Sequence, residues 1–150
     1  MTTFERPAPD LGTEDDVVGK RALAFVIDVI GVGVLASVVT NFAFLISVPL
    51  GTLASGLSTI AFFAYLAYFE AKYGQTVGKM LADVVVVTED GDAIGYRESA
   101  LRTLLRLVDI LPFFYVVGIV VIYLTGRRQR VGDLVADTVV VRAKDKPDPL

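Results

Sequence analysis

The stretch DVIGVGVLASVVTNFAFLISVPLGTLASGLSTIAFFAYLAYFE, running from Asp28 to Glu70, decides how this chain folds. Between those two acids lie forty-one consecutive residues, Val29 to Phe69, without a single Asp, Glu, Lys or Arg. One helical crossing of a bilayer core takes about 20 apolar residues. The run is therefore long enough for two crossings and a turn. Pro and Gly interrupt it at Ser47-Val48-Pro49-Leu50-Gly51, which predicts the turn there. The expected fold is a mostly α-helical membrane protein, with a first span from Gly19 to about Ile46 and a second from Gly51 to about Tyr73.

Working outward, the rest of the 150-residue chain agrees with a membrane setting. Hydrophobic residues make up 54% of it, and the mean hydropathy is +0.62. The polar segments are too short for a second, soluble domain. Residues 1–18 hold Pro7, Pro9 and the acidic run Glu14-Asp15-Asp16, so they read as a disordered acidic tail. They lack the basic and apolar regions of a signal peptide, and the first span is expected to serve as the insertion signal. A membrane domain is expected over 19–143, followed by a disordered C-terminal tail over 144–150.

The composition also narrows the chemistry. There is no cysteine and no histidine, which rules out disulfides, thiol chemistry and histidine acid–base catalysis. The formal net charge of −3 carries no basic excess for a nucleic-acid partner. Gly74-Gln75-Thr76-Val77-Gly78-Lys79 has a superficial likeness to a phosphate loop, but its glycines are too close together and no Ser or Thr follows the lysine. No cofactor, no metal site and no enzymatic activity is expected.

After the second span the pattern changes. Residues 84–88 and 138–142 are β-branched, and Glu89-Asp90-Gly91-Asp92 supplies a turn after the first of them. They are expected to form one small cytoplasmic sheet. Between them, residues 98–126 read as a third hydrophobic helical segment, bent at Pro112. It is either a re-entrant hairpin or a third crossing. Basic residues near membrane ends favour the cytoplasm, and Lys20, Arg21, Lys72, Lys79, Arg97 and Arg102 place the N-terminus and the middle segment inside. A third crossing would put Arg127, Arg128 and Arg130 outside and separate the two strands. The returning hairpin avoids both problems and is the preferred reading.

Several charges fall where a bilayer makes them expensive. Asp28 lies two helical turns beyond Arg21, roughly 10 Å deeper along a helix. A central Asp costs about 2.5–3.5 kcal/mol on insertion scales, so a partner, a cavity or a proton must offset it. Arg102, Arg106 and Asp109 share one helix face and are candidate partners. Arg21, Asp28, Arg102, Arg106 and Asp109 are therefore the expected intramembrane charge network or ion site. Glu70 reads as a helix-end residue beside Lys72, within reach of water. Thr40 and Asn41 are expected to hydrogen-bond between helices, and Gly31, Gly33, Gly51 and Gly56 to allow close helix packing. Tyr65, Tyr68, Tyr73, Tyr115 and Tyr123 fit interfacial belts. Lys79 is expected at lipid headgroups or beside Asp133.

Three segments carry a resemblance. Arg21-Ala22-Leu23-Ala24-Phe25-Val26-Ile27-Asp28 resembles the opening helix of the RDD family of small membrane proteins. Gly74 to Leu81 resembles its second signature, and Arg130 to Val141 its closing one. The resemblance runs from about Gly19 to Arg142. It implies that Arg21 and Asp28 are the first two residues of the family name, with Asp133 as the third and Asp109 as the alternative. It also implies a cytoplasmic motif of Gly78, Lys79, Arg130, Gly132 and Asp133. Asp137 stands where many members have Gly, so its backbone need not be left-handed.

The family resemblance leaves two functions open. The first is a membrane scaffold or assembly module with a structural Arg/Asp network, working as a homo-oligomer or with a membrane partner protein in the lipid bilayer. The alternative is an oligomeric cation/proton antiporter in which Asp28 handles Na⁺ or H⁺. Either way the expected location is the cell membrane, multi-pass, with the N-terminus cytoplasmic.

Overall fold

A computed structural model describes residues 5–110 and 112–144, excluding the side chains of residues 108–110 and 112–115. Two long helices dominate it: α1 (Val18–Ile46) and α2 (Val48–Tyr73). Both are long and apolar enough to cross a membrane. They pack as an antiparallel hairpin whose outer surface is almost wholly apolar. Val34, Leu35, Val38, Phe42, Leu45, Leu53, Leu57 and Ile60 are each more than half exposed. An apolar surface of that extent suits hydrocarbon rather than water.

The turn between them is tighter than the sequence suggests. Ser47 alone is extended, and its hydroxyl accepts from the Leu50 amide at 3.3 Å. Val48, Pro49 and Leu50 already belong to α2, because proline is tolerated in a first turn where its missing N–H has no helical partner. Gly51 is needed there: a Cβ would lie 2.2 Å from the Phe44 ring. At Gly31, Gly33 and Gly56 a Cβ would meet open space, so those three do not serve close helix packing. Asn41 donates to the Ser37 carbonyl of its own helix at 2.8 Å rather than across to α2.

At the end of α2, Gly74 adopts a left-handed cap with φ 70°. A five-residue helix, α3 (Val77–Leu81), follows and leads into a strand. The three-stranded sheet has the order β1 (Pro9–Asp10), β3 (Thr138–Ala143), β2 (Val84–Thr88), all antiparallel. The expected pairing of 84–88 with 138–142 is present, register Val86 opposite Val140. Val84, Val86 and Val140 pack with Val17, Ala24, Ala82 and Ile94 in one cluster, and Val85, Val87, Val139 and Val141 form another.

The acidic N-terminal segment is not simply a tail. Pro9 and Asp10 form the edge strand, Glu14–Val17 make a 3-10 turn, and Val17 is fully buried under the sheet. Val17, the edge of β3, and the ion pairs Asp15–Arg128 and Asp16–Arg142 hold a segment whose composition argues for disorder. Residues 145–150, most of the expected C-terminal tail, lie outside the described residues.

Between β2 and β3 run α4 (Tyr96–Ile110) and α5 (Pro112–Leu124), broken where Pro112 predicts. A short helix, α6 (Val131–Val135), precedes β3. The chain thus leaves the sheet after β2 and returns to it at β3. α4 is polar inside and apolar outside: Ser99, Arg102, Thr103 and Arg106 are buried, whereas Leu104 and Leu107 are exposed. That inversion is the arrangement expected beside lipid.

The backbone also repeats itself. Residues 74–87 and 128–141 match at Gln75/Gln129, Val77/Val131, Gly78/Gly132, Ala82/Ala136, Asp83/Asp137 and three valine pairs. The N-cap dihedrals agree (Thr76 −81°, 171°; Arg130 −75°, 168°), and Asp83 and Asp137 are left-handed at φ 55° and 51°. Gln75 and Gln129 each donate to the first strand carbonyl at 2.9 Å. The two units therefore face each other through β2 and β3 as a local two-fold pair. At Asp137 the backbone is left-handed despite the side chain, a conformation Asp tolerates better than most residues.

Candidate functional site: a buried charge network

Asp28 lies in α1 and is 4% exposed. Its partners are neutral. Oδ1 accepts from the Tyr65 hydroxyl at 2.8 Å and the Gly78 amide at 2.8 Å; Oδ2 accepts from the Thr76 hydroxyl at 2.5 Å. Tyr65 in turn accepts from the Val77 amide at 2.9 Å. The carboxylate thereby holds the start of α3 against both long helices. No arginine pairs with it among the described residues, so the expected pairing with Arg102 or Arg106 is replaced by hydroxyl and amide donors. Tyr65 is accordingly a buried-site residue rather than a belt tyrosine. Gly78 is indispensable here: a Cβ would come within 2.0 Å of the Ala24 carbonyl oxygen.

The ion pairs centre on two other carboxylates. Glu70, 1% exposed, pairs with Lys79, with Arg102 Nε at 3.1 Å and with Arg106 at 3.6 Å. Its expected reach toward water beside Lys72 does not occur; Lys72 instead lies over the rings of Tyr68 and Tyr73. Asp133, fully buried in α6, pairs with Arg102 and with Arg21 Nη2 at 2.5 Å, and accepts from the Arg130 amide at 3.0 Å. Arg102 also donates to the Thr138 hydroxyl at 2.6 Å. Arg21 further donates to the Arg128 carbonyl at 2.9 Å. The side chain of Asp109 lies outside the described residues.

So Arg21, Arg102 and Arg106 are in the network, with Glu70, Lys79 and Asp133 as members that the sequence placed elsewhere. Lys79 meets Glu70 rather than headgroups or Asp133. Asp28 sits next to this network without an ion pair to it. Gly132 sits on α4, where a Cβ would lie 3.4 Å from the Arg102 carbonyl.

Burial sets the electrostatics of the groups on α3, α4 and α6. It opposes the charge on Asp133, but Arg102, Arg21 and Arg130 outweigh it and hold the carboxyl well below the usual range. Burial also opposes the charge on Arg102, and Asp133 and Glu70 outweigh it, raising its pKa. For Lys79 burial wins and lowers the ammonium to about 7, with Arg102 and Arg106 adding to the effect against Glu70. Burial, helped by Arg106, lowers Arg130 to about 9.

Chemically this is a set of buried charges whose carboxylates are engaged, while Arg106 Nε and Arg130 Nε have no hydrogen-bond partner among the described residues. Among the described residues, no group of three or more acids could hold a metal ion. The missed members had a signal: the Gly-x-x-x-Ala-Asp spacing occurs twice, which points to Lys79 and Asp133 as equivalent positions. Glu70 had none. No curated protein and no solved structure matches the chain. The model of the RDD family matches residues 17–137, a span that includes Arg21, Asp28, Glu70, Lys79, Arg102 and Asp133, and this chain belongs to that family.

Proposed function

We propose that this RDD-family chain is a non-enzymatic membrane scaffold: a two-helix anchor that carries a rigid polar platform for assembly with a partner or further copies of itself. The observation that carries this reading is the environment of Asp28. A cation site needs oxygen lone pairs pointing inward. Asp28 instead receives three donors, from Tyr65, Thr76 and Gly78, so both carboxylate oxygens are already engaged. The Glu70 and Asp133 pairs likewise serve to join α2, α3, α4 and α6.

Topology follows from the same picture. The α4–α5 segment returns to the sheet it left, which favours a re-entrant or interfacial hairpin and two crossings. With α5 at 13 residues, or about 20 Å, it is short of the ~30 Å hydrocarbon core. The sheet and the basic residues at the same end then lie in the cytoplasm of a cell-membrane protein.

The test is flux. Purified chain is reconstituted in liposomes, and internal pH is followed on adding Na⁺, K⁺ or Li⁺, with Asp28→Asn at equal incorporation. The scaffold predicts no cation-dependent proton movement from correctly inserted wild type. Movement that disappears in Asp28→Asn would overturn it and establish an exchanger.

A further inference from the structure

A cavity of about 370 Å³ lies among α1, α2, α4 and α5, beside the ion pairs. Its walls include Arg21, Lys79, Arg102, Arg106 and Arg130, and the acids lining it among the described residues are Asp28 and Glu70. Adding Asp133, which contacts three of those arginines, five cationic side chains face three carboxylates among the described residues. The arginines alone outnumber these carboxylates, and the two least satisfied of them can be named.

Arg106 is 8% exposed and lies over the Phe25 ring, its closest ionic contact among the described residues is Glu70 at 3.6 Å, and its Nε has no hydrogen-bond partner among them. Arg130 Nε is likewise buried and unpartnered, 3.9 Å from Asp133. A buried guanidinium nitrogen without an acceptor is costly. Two of them lining one cavity form a site for an anion. The remaining wall is apolar: Phe25, Leu66, Ile119 and Ile122. At its rim Ile119 and Tyr123 are exposed on α5, the surface that meets lipid in a membrane protein.

We propose that this cavity binds a phosphate group through Arg106 and Arg130, supplied by the headgroup of an acidic phospholipid whose chain lies along the apolar wall. Guanidinium matches phosphate through paired N–H donors, and both orphan Nε atoms would gain an acceptor. The repulsion between Arg106 and Arg130, which helps lower the Arg130 pKa, would also be relieved. Glu70 and Asp133 keep Arg102 and Arg21 engaged, so they line the site without being free for the ligand.

The test uses the full chain, purified in neutral detergent and stripped of lipid. Melting temperature is recorded against phosphatidylglycerol, phosphatidylcholine with the same acyl chains, and inorganic phosphate. Saturable stabilisation by phosphatidylglycerol, with apparent affinity about tenfold or more above phosphatidylcholine, is expected. Arg130→Gln and Arg106→Gln should remove that preference, whereas Arg127→Gln, on an exposed side chain, should keep it. If Arg106→Gln does not fold, Arg130→Gln carries the test. Inorganic phosphate binding as tightly as the lipid through the same arginines would overturn the lipid source and leave a free-phosphate site. Equal stabilisation by both lipids, or equal loss in Arg127→Gln, would overturn the site altogether.

Discussion

The α3–β2 unit and the α6–β3 unit share a backbone and differ in charge. Each begins with a glutamine bonded to its strand, places a glycine against a helix, and turns into the sheet through Ala and a left-handed Asp. At the equivalent buried position one carries Lys79 and the other Asp133. Lys79 reaches one acid, Glu70, whereas Asp133 is held by Arg21 and Arg102 from two different helices. The repeat therefore supplies geometry, and the substitution of one charge for its opposite makes the two units complementary. It also makes them unequal: removing Asp133 takes the carboxylate from Arg21 and leaves Arg102 with Glu70 alone, whereas removing Lys79 leaves Glu70 with Arg102 and Arg106.

The largest effect should come from testing that inequality directly. Asp133→Asn should cost about 3–5 kcal/mol, the usual consequence of leaving a buried charge unpaired. Lys79→Met should cost clearly less. Chemical unfolding in detergent measures both, and equal losses would break the comparison. Next come the two glycines. Gly78→Ala forces a Cβ into the Ala24 carbonyl, so a loss of about 1–3 kcal/mol is expected from overpacking. Gly132→Ala meets neighbours at 3.4 Å and should be nearly neutral in the same assay. Asp28→Asn should be milder, about 1–2 kcal/mol, because an amide keeps one acceptor but turns a donor toward Thr76; a loss as large as that of Asp133→Asn would show that Asp28 belongs to the ion pairs after all.

A pH dependence tests the Lys79 side of the same comparison. Lys79 titrates near 7 when folded, chiefly because it is buried, against about 10.4 when unfolded. Between those values the unfolded chain binds more protons, so stability should rise with pH across that window and be independent of Lys79 below it. Unfolding measured from pH 7 to 10 should show the rise in wild type and lose it in Lys79→Met. A flat wild-type profile would mean that Glu70 keeps the ammonium fully charged throughout.

Much of the architecture was legible because it depends on local patterns. Bilayer thickness converts the uncharged run into two helices, β-branching marks both strands, and Pro112 ends α4. Periodicity also put Arg102 and Arg106 on one face, which is buried. The site was legible in its residue types and less so in its pairings. Asp28 bonds to residues about fifty positions later, and nothing local distinguishes a hydroxyl partner from an arginine. Glu70 looked like a solvated helix end because α4 and α3, which cover it, arrive from elsewhere in the chain.

The sequence by itself determined that this chain carries two helices long and apolar enough to span a membrane, a small sheet and the RDD signatures. The helices and strands rest on composition and periodicity, and the family on its signature motifs, all of which each segment carries alone. Only the tertiary structure decided that Asp28 is satisfied by neutral donors, that Glu70 and Asp133 anchor the arginines, and that Arg106 and Arg130 face a cavity. The physical reason is that a buried charge takes whichever partner the packed helices bring within about 3 Å, and helix packing is a property of the whole fold.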